Sequence, residues 1–340
     1  MFAREVNENA AMIAALDGAL LWKVDCEKGE GIEIAKKYEI RGYPTYIALN
    51  GAGEITDRWI GYEGAEKWSA AVVAAKADRR TIVEKKAAFE AEPTPELAKA
   101  LANDAATGSQ YKAAVEYYGK AQELDPDNAS EYGDQILMSM LYGLEDDSFT
   151  LDEVIAKAQL SMESDQTPAA GKLELALMIK HFAGQKGQVE KAVPFIEAAF
   201  AASEGSTDPD AIKYRNYLAV DHALLVEKDT AKAMDLFRGR MPEGWQEDAD
   251  QLNKFAWWCF ENGVNLEEAQ KYALKGVELA ETDGQRANIL DTAAEICNAL
   301  GNCDQALAHI KRAIELSPEQ EYLKDQLARF EKIVEEKKAG

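Results

Sequence analysis

Hydrophobic positions along this chain change their period near residue 79. Before that point, short segments of different period alternate. Phe2, Val6, Met12, Ile13 and Leu16 fall at helical spacing, so residues 1–16 read as one helix. Residues 19–25 (ALLWKVD) form an apolar run short enough for a buried strand. Residues 31–38 (GIEIAKKY) return to helical spacing. Residues 41–49 (RGYPTYIAL) read as a strand opened by a proline turn, and NGAGE as a glycine-rich hairpin turn. EITDRWIGY is the return strand, and residues 65–76 form a closing helix. The predicted order is helix, strand, helix, strand, strand, helix.

Beyond residue 79 the period is helical throughout. Residues 79–93 read as a linker helix ending at Pro93. From Pro95 onward a repeat of roughly 34 residues emerges. Its clearest unit, residues 96–128, carries Leu101 and Ala102 on a first helix, Ala114, Tyr118 and Ala121 on a second, and Pro126 as a stop. Ala293, Ala294, Gly301, Ala306, Ala313 and Pro318 repeat those offsets in the last unit. Ala256, Gly263 and Ala269 do so in the unit before it, with Trp257 and Trp258 on the first helix. The stretch from 132 to 239 keeps the hairpin rhythm with weaker anchors at Gly187, Ala192, Ala233 and Phe237. Five or six hairpins are expected. Small residues let two helices approach, aromatics fill the gap to the next hairpin, and no hairpin buries its face alone, so the units stack. Residues 319–340 are strongly charged and read as a solvating cap.

These small and aromatic positions resemble the tetratricopeptide repeat. The resemblance implies an all-α superhelical solenoid over residues 94–318, with a protein or peptide ligand on its concave face. One subtype grips the C-terminal carboxylate of a partner through Lys and Asn one turn apart, and Lys99 and Asn103 stand at those positions. Asp134 lies near where a further Asn is expected. The plainer reading is a solvated lysine and a helix-surface asparagine.

The N-terminal residues 1–78 resemble the C-terminal two-thirds of a thioredoxin fold. The resemblance rests on Gly42-Tyr43-Pro44-Thr45 opening a strand, on Lys23-Val24-Asp25, on residues 35–40 and on the Gly53 turn. It implies that Pro44 is cis and that Tyr43, Pro44 and Thr45 form a substrate-facing loop. The fold class is therefore expected to be mixed, a partial α/β segment followed by helical repeats. The Cys-x-x-Cys of that family is missing: Cys26, Cys259, Cys297 and Cys303 are widely scattered. Residues 1–6 look like the body of the helix that follows such a pair, so Met1 is expected to be an internal start, with two strands lost alongside the dithiol. The alternative is a degenerate domain whose remaining strands re-pair directly.

Charge and chemistry narrow the function. A net charge of −23 repels phosphate backbones and anionic membrane surfaces, so neither nucleic acid nor membrane is an expected partner. The plainest role of the acid excess is solubility. No apolar run approaches the roughly 20 residues that span a bilayer. The first residues lack the features of a signal peptide. The default compartment is the cytoplasm, with export open if an upstream signal precedes Met1. Cys26 is a candidate resolving thiol or a small apolar residue at a strand end. Cys297 and Cys303 flank Gly301 and could approach one another. His181, His222 and His309 read as isolated core or surface histidines. No phosphate loop, nucleophile elbow or metal motif is present in the sequence, and neither cofactor nor metal is expected. The expected function is a protein-interaction scaffold with unknown oligomeric state. The alternative is part of a thiol-disulfide oxidoreductase whose dithiol lies upstream.

Overall fold

Asn9 divides the first expected helix in two. Its backbone is extended (φ −82°, ψ 120°), and its side chain accepts hydrogen bonds from the backbone N–H groups of Ala11 and Met12. That cap ends α1 (Phe2–Glu8) and starts α2 (Ala10–Ala15). A computed structural model describes residues 2–339, and the side chains of all of these except 3 and 337–339. The proposed start residue Met1 and the last residue of the expected cap, Gly340, lie outside the described residues. The chain forms two compact units, Met1–Ala202 and Ser203–Gly340.

In the first unit, α3 (Gly31–Lys37) precedes an antiparallel pair, β1 (Thr45–Leu49) and β2 (Ile55–Ile60), with Thr45 opposite Ile60 and Ala48 opposite Asp57. Then α4 (Ala65–Ala77) buries Trp68 and Val72 against Val6, Met12 and Ala15. The expected strand at residues 19–25 does not form. Its segment is irregular, with Leu20 94% and Trp22 64% exposed. A strand needs a ladder partner for its N–H and C=O groups. Among the described residues the sheet holds only β1 and β2. The α/β part is thus a two-stranded hairpin between helices, and a thioredoxin-like sheet is not shown. Gly31 is required where it stands, because a Cβ there would lie 2.0 Å from the carbonyl oxygen of Asp25.

The expected linker helix, α5 (Ile82–Ala91), is packed into the unit rather than spanning a gap. Thr81 and Glu84 close a capping box at its start. Lys85, 1% exposed, donates to the Thr56 carbonyl of β2 at 2.7 Å. Helical hairpins follow: α6 (Pro95–Thr107) with α7 (Tyr111–Leu124), α8 (Ala129–Tyr142) with α9 (Leu151–Glu163), and α10 (Ala169–Gln185) with α11 (Val193–Ala202). Thr94 caps α6, with Pro95 in the first turn where its missing N–H costs nothing. Ala98, Ala102, Ala114 and Ala121 are fully buried where α6 and α7 meet, as the small-residue positions predict.

The second unit is helical throughout its described residues. It comprises α12 (Pro209–Asp221), α13 (Thr230–Arg238), α14 (Ala249–Glu261), α15 (Leu266–Leu279), α16 (Asp283–Ala299), α17 (Cys303–Leu316) and α18 (Glu321–Ala339). Each unit therefore carries three hairpins among the described residues. Phe255, Ala256, Cys259, Ala273, Ile289 and Ile296 form the centre of one core cluster. A Cβ on Gly276 would meet the Ala249 carbonyl oxygen at 3.3 Å and Ile289 at 3.4 Å, so a small residue keeps α14, α15 and α16 close. Trp258 stacks on Phe237 with ring centroids 4.5 Å apart. The terminal α18 does more than solvate the end: Leu323 and Phe330 are buried against Ile310 and Ala313 of α17.

Candidate functional site

Within the first unit, α4 and β2 face the first helices of two successive hairpins across a cleft of about 490 Å³. Lys67, Ala70, Ala71 and Ala74 recur at helical spacing and, with Trp68, give α4 one face toward the cleft, small along Ala70, Ala71 and Ala74. Glu96, Lys99, Ala100, Asn103, Ala106 and Thr107 make the matching face of α6. Trp59 and Ile60 extend the first wall from β2. Tyr118 of α7 and Glu131, Tyr132 and Gln135 of α8 complete the second.

The cleft is acidic, and its lysines are already paired. Lys67 Nζ lies 2.5 Å from Glu63 and Lys99 Nζ lies 2.7 Å from Glu131 Oε1. Asp57, Glu63, Glu96 and Glu131 line the cleft against two ammonium groups, a net of minus two that falls to minus one with the buried Lys85 paired to Asp57. Tyr118 OH donates to Asn103 Oδ1 at 2.6 Å. Burial above all, and then the charges of Glu63 and Glu131, hold the Tyr118 phenol far above its ordinary value, so it stays a donor. Tyr132 OH donates to Asp125 Oδ2 at 3.1 Å, and burial and that bond push its phenol up to about 12. Asp134, behind Glu131 on α8, is raised by burial first, with Glu63 and Glu131 adding to the effect and Lys67 opposing it.

The fold brings Lys99 and Asn103 together in this cleft. Lys99 already holds a carboxylate, and the Asn103 oxygen already accepts a hydrogen bond. Tyr43, Pro44 and Thr45 do not line it. The Tyr43–Pro44 peptide is cis, and Thr45 Oγ1 donates to the Gly42 carbonyl at 2.6 Å. The exposed Tyr43 phenol is raised by partial desolvation, and by the proximity of Cys26, Glu27 and Asp25. Cys26 is a half-buried thiol beside that turn, in an irregular loop and not at a strand end. Sequence reasoning missed α4 as a wall. The signal was there, in the Lys67, Ala70, Ala71 and Ala74 spacing, but nothing in the sequence says which face of the array an amphipathic segment covers.

Other expected candidates lie elsewhere. His222 is not isolated: its Nδ1 is 3.3 Å from Glu227 Oε1, a partner brought close by the π-helical turn His222–Val226. Burial holds the His309 imidazole below its ordinary value. Cys297 and Cys303 are not joined by a disulfide. Gln270 Nε2 donates to Cys297 Sγ at 3.0 Å. Among the described residues no three His, Cys, Asp or Glu side chains converge as metal ligands. No described helix is long and apolar enough to cross a membrane.

Comparison with known families matches residues 109–128, α7 and the turn after it, to the tetratricopeptide repeat. Among solved structures, YrrB, described as a tetratricopeptide-repeat protein with an unusual peptide-binding site, is 15% identical, with 71% of this chain and 96% of that chain covered and a TM-score of 0.33. A tetratricopeptide repeat protein from Parabacteroides merdae is 16% identical, with coverage of 78% and 93% and a TM-score of 0.41. Yeast Tom70 is 17% identical over 80% of this chain and 54% of its own, with a TM-score of 0.38. A search of curated proteins found no match.

Proposed function

We propose that this chain is a protein-interaction module that binds a segment of a partner protein in the cleft between α4 and the α6 and α8 helices. The carrying observation is the cleft itself. At about 490 Å³ it falls within the roughly 300–1,000 Å³ of ligand-holding clefts, and it has aromatic, small and charged groups on two opposed walls. In a repeat array the first helix of each hairpin lines the concave side, so the α6 and α8 wall corresponds to the groove on which such arrays hold peptides. If Lys99 and Asn103 act as a carboxylate clamp, the ligand must displace Glu131 from Lys99.

Residues 1–78 are, in this proposal, a thioredoxin-like segment lacking a redox dithiol, joined through 79–93 to repeats over 94–318 and a cap over 319–340. Support comes from the order α3, β1, β2, α4 and the Tyr43-Pro44-Thr45 turn at the start of β1. The segment's role is then architectural: it supplies the α4 and β2 wall of the cleft.

Amide hydrogen exchange of the full chain with a peptide selected on it tests the proposal. Binding should slow exchange in α4, α6 and α8. Slowing confined to α7 and α9, or to the second unit, would contradict it.

A further inference from the structure

We propose that the cleft selects a basic ligand: an extended partner segment that places a Lys or Arg side chain between Glu63 on the N-terminal wall and Glu131 on the repeat wall. The inference rests on the groove reading above and adds the chemistry of the occupant.

Charge complementarity carries it. The lining groups sum to minus two, or minus one once the buried Lys85 that pairs with Asp57 is counted, and both lining lysines are already neutralised by glutamates. A ligand carboxylate entering the cleft meets cations that are already paired, and the exposed Glu96. A ligand cation meets Glu96, which is exposed on the α6 wall, and shares Glu63 and Glu131 with their lysines. Glu63 and Glu131 come from opposite walls, yet both act on Tyr118 and on Lys67, so their fields converge inside the cleft.

Shape fits the same occupant. Ala70 and Ala74 are exposed, so the stretch of α4 beyond Lys67 and Trp68 presents little more than backbone and methyl groups toward the cleft. An extended backbone can lie along such a face. Trp59, half-buried and stacked on Tyr46 on one side, adds an aromatic group to the lining.

Selection from a randomised linear peptide library displayed on phage, with the full chain as bait, tests the proposal. Recovered peptides should be enriched at least threefold in Lys and Arg. A recovered peptide should bind the Glu63→Gln/Glu131→Gln protein about tenfold more weakly, the scale of losing two partly exposed ion pairs. It should also lose binding to Ala74→Trp, which fills the cleft and leaves the charge unchanged. That variant separates cleft binding from general attraction to an acidic surface. Recovery of acidic or free-carboxylate peptides that Ala74→Trp excludes would overturn the charge inference and leave the groove reading standing. Basic peptides that bind Ala74→Trp undiminished would overturn the inference, since their site is not the cleft. No enrichment on the unsubstituted chain would overturn both.

Discussion

Lys85 and Asp57 meet 3.4 Å apart between α5 and β2, with the lysine side chain 2% and the aspartate side chain 12% exposed. The lysine also donates to the Thr56 carbonyl. Next along β2, Arg58 reaches Asp104 of α6 at 2.5 Å. Neighbouring residues of one strand thus carry two buried ion pairs to two helices. They fix the β-hairpin, and with it the first wall of the cleft, against the repeats.

Breaking that pair on one side strands a charge in the interior. Lys85→Met is expected to destabilise the first unit by about 3–5 kcal/mol, because Asp57 is left uncompensated. Asp57→Asn added to Lys85→Met should restore most of the loss, by removing the orphaned charge. Chemical denaturation of the three proteins measures this; equal stabilities for the single and double variants would contradict the account.

A second buried carboxylate gives a pH dependence of defined sign. Asp291 on α16 is pushed up to about 6 from its ordinary 3.8, by burial first and by Glu295 second, while Tyr322 and Arg329 of α18 oppose the rise. The folded chain therefore holds a proton at Asp291 between about pH 4 and pH 6 that the unfolded chain releases. The stability tied to that proton is complete below about pH 4 and is lost as pH rises through 6, to a total of about 3 kcal/mol. Asp291→Asn should melt higher than the parent at pH 7.5 and show a flatter profile across that window. An unchanged profile would show that Asp291 ionises normally.

The alanines between α6 and α7 leave no room for growth. Ala114 is fully buried, and Ala114→Leu should cost about 1–3 kcal/mol through overpacking. Glu116→Leu, two positions away and exposed, should cost almost nothing. Paired thermal melts compare them, and equal effects would contradict the small-residue account of the hairpin.

Thiol chemistry separates the cysteines. Cys259 is buried, and burial followed by Glu268 pushes its thiol up to about 12; burial raises Cys297 as well. Thiol labelling of the native chain should modify the half-buried Cys26 and Cys303 first, and Cys259 and Cys297 only on unfolding. With no Cys-x-x-Cys, the chain is expected to show no dithiol turnover in an insulin-reduction assay. Turnover that survives Cys26→Ser would reveal a missed site.

The repeats were legible because their spacing has one physical solution. Ala102, Ala114, Tyr118 and Ala121 can be small or aromatic at those offsets only if two helices touch there, and all four are buried. The N-terminal part was less legible because a strand is defined by its partner. Residues 19–25 have a strand's composition but no ladder beside them, so Leu20 and Trp22 stand exposed. Lys99 and Asn103 could be placed on one helix face from spacing alone. That α4 lies opposite them, and that Glu131 already occupies Lys99, depends on contacts between segments far apart in sequence.

The central claim is that a partner segment lies between α4 and the first helices of the repeats. A crystal structure of the full chain with a selected peptide tests it most directly. The expected result is an extended peptide with one edge against Ala70 and Ala74 and the other against Lys99, Asn103 and Glu131. A peptide seated on α7 and α9, with the cleft unfilled, would contradict it.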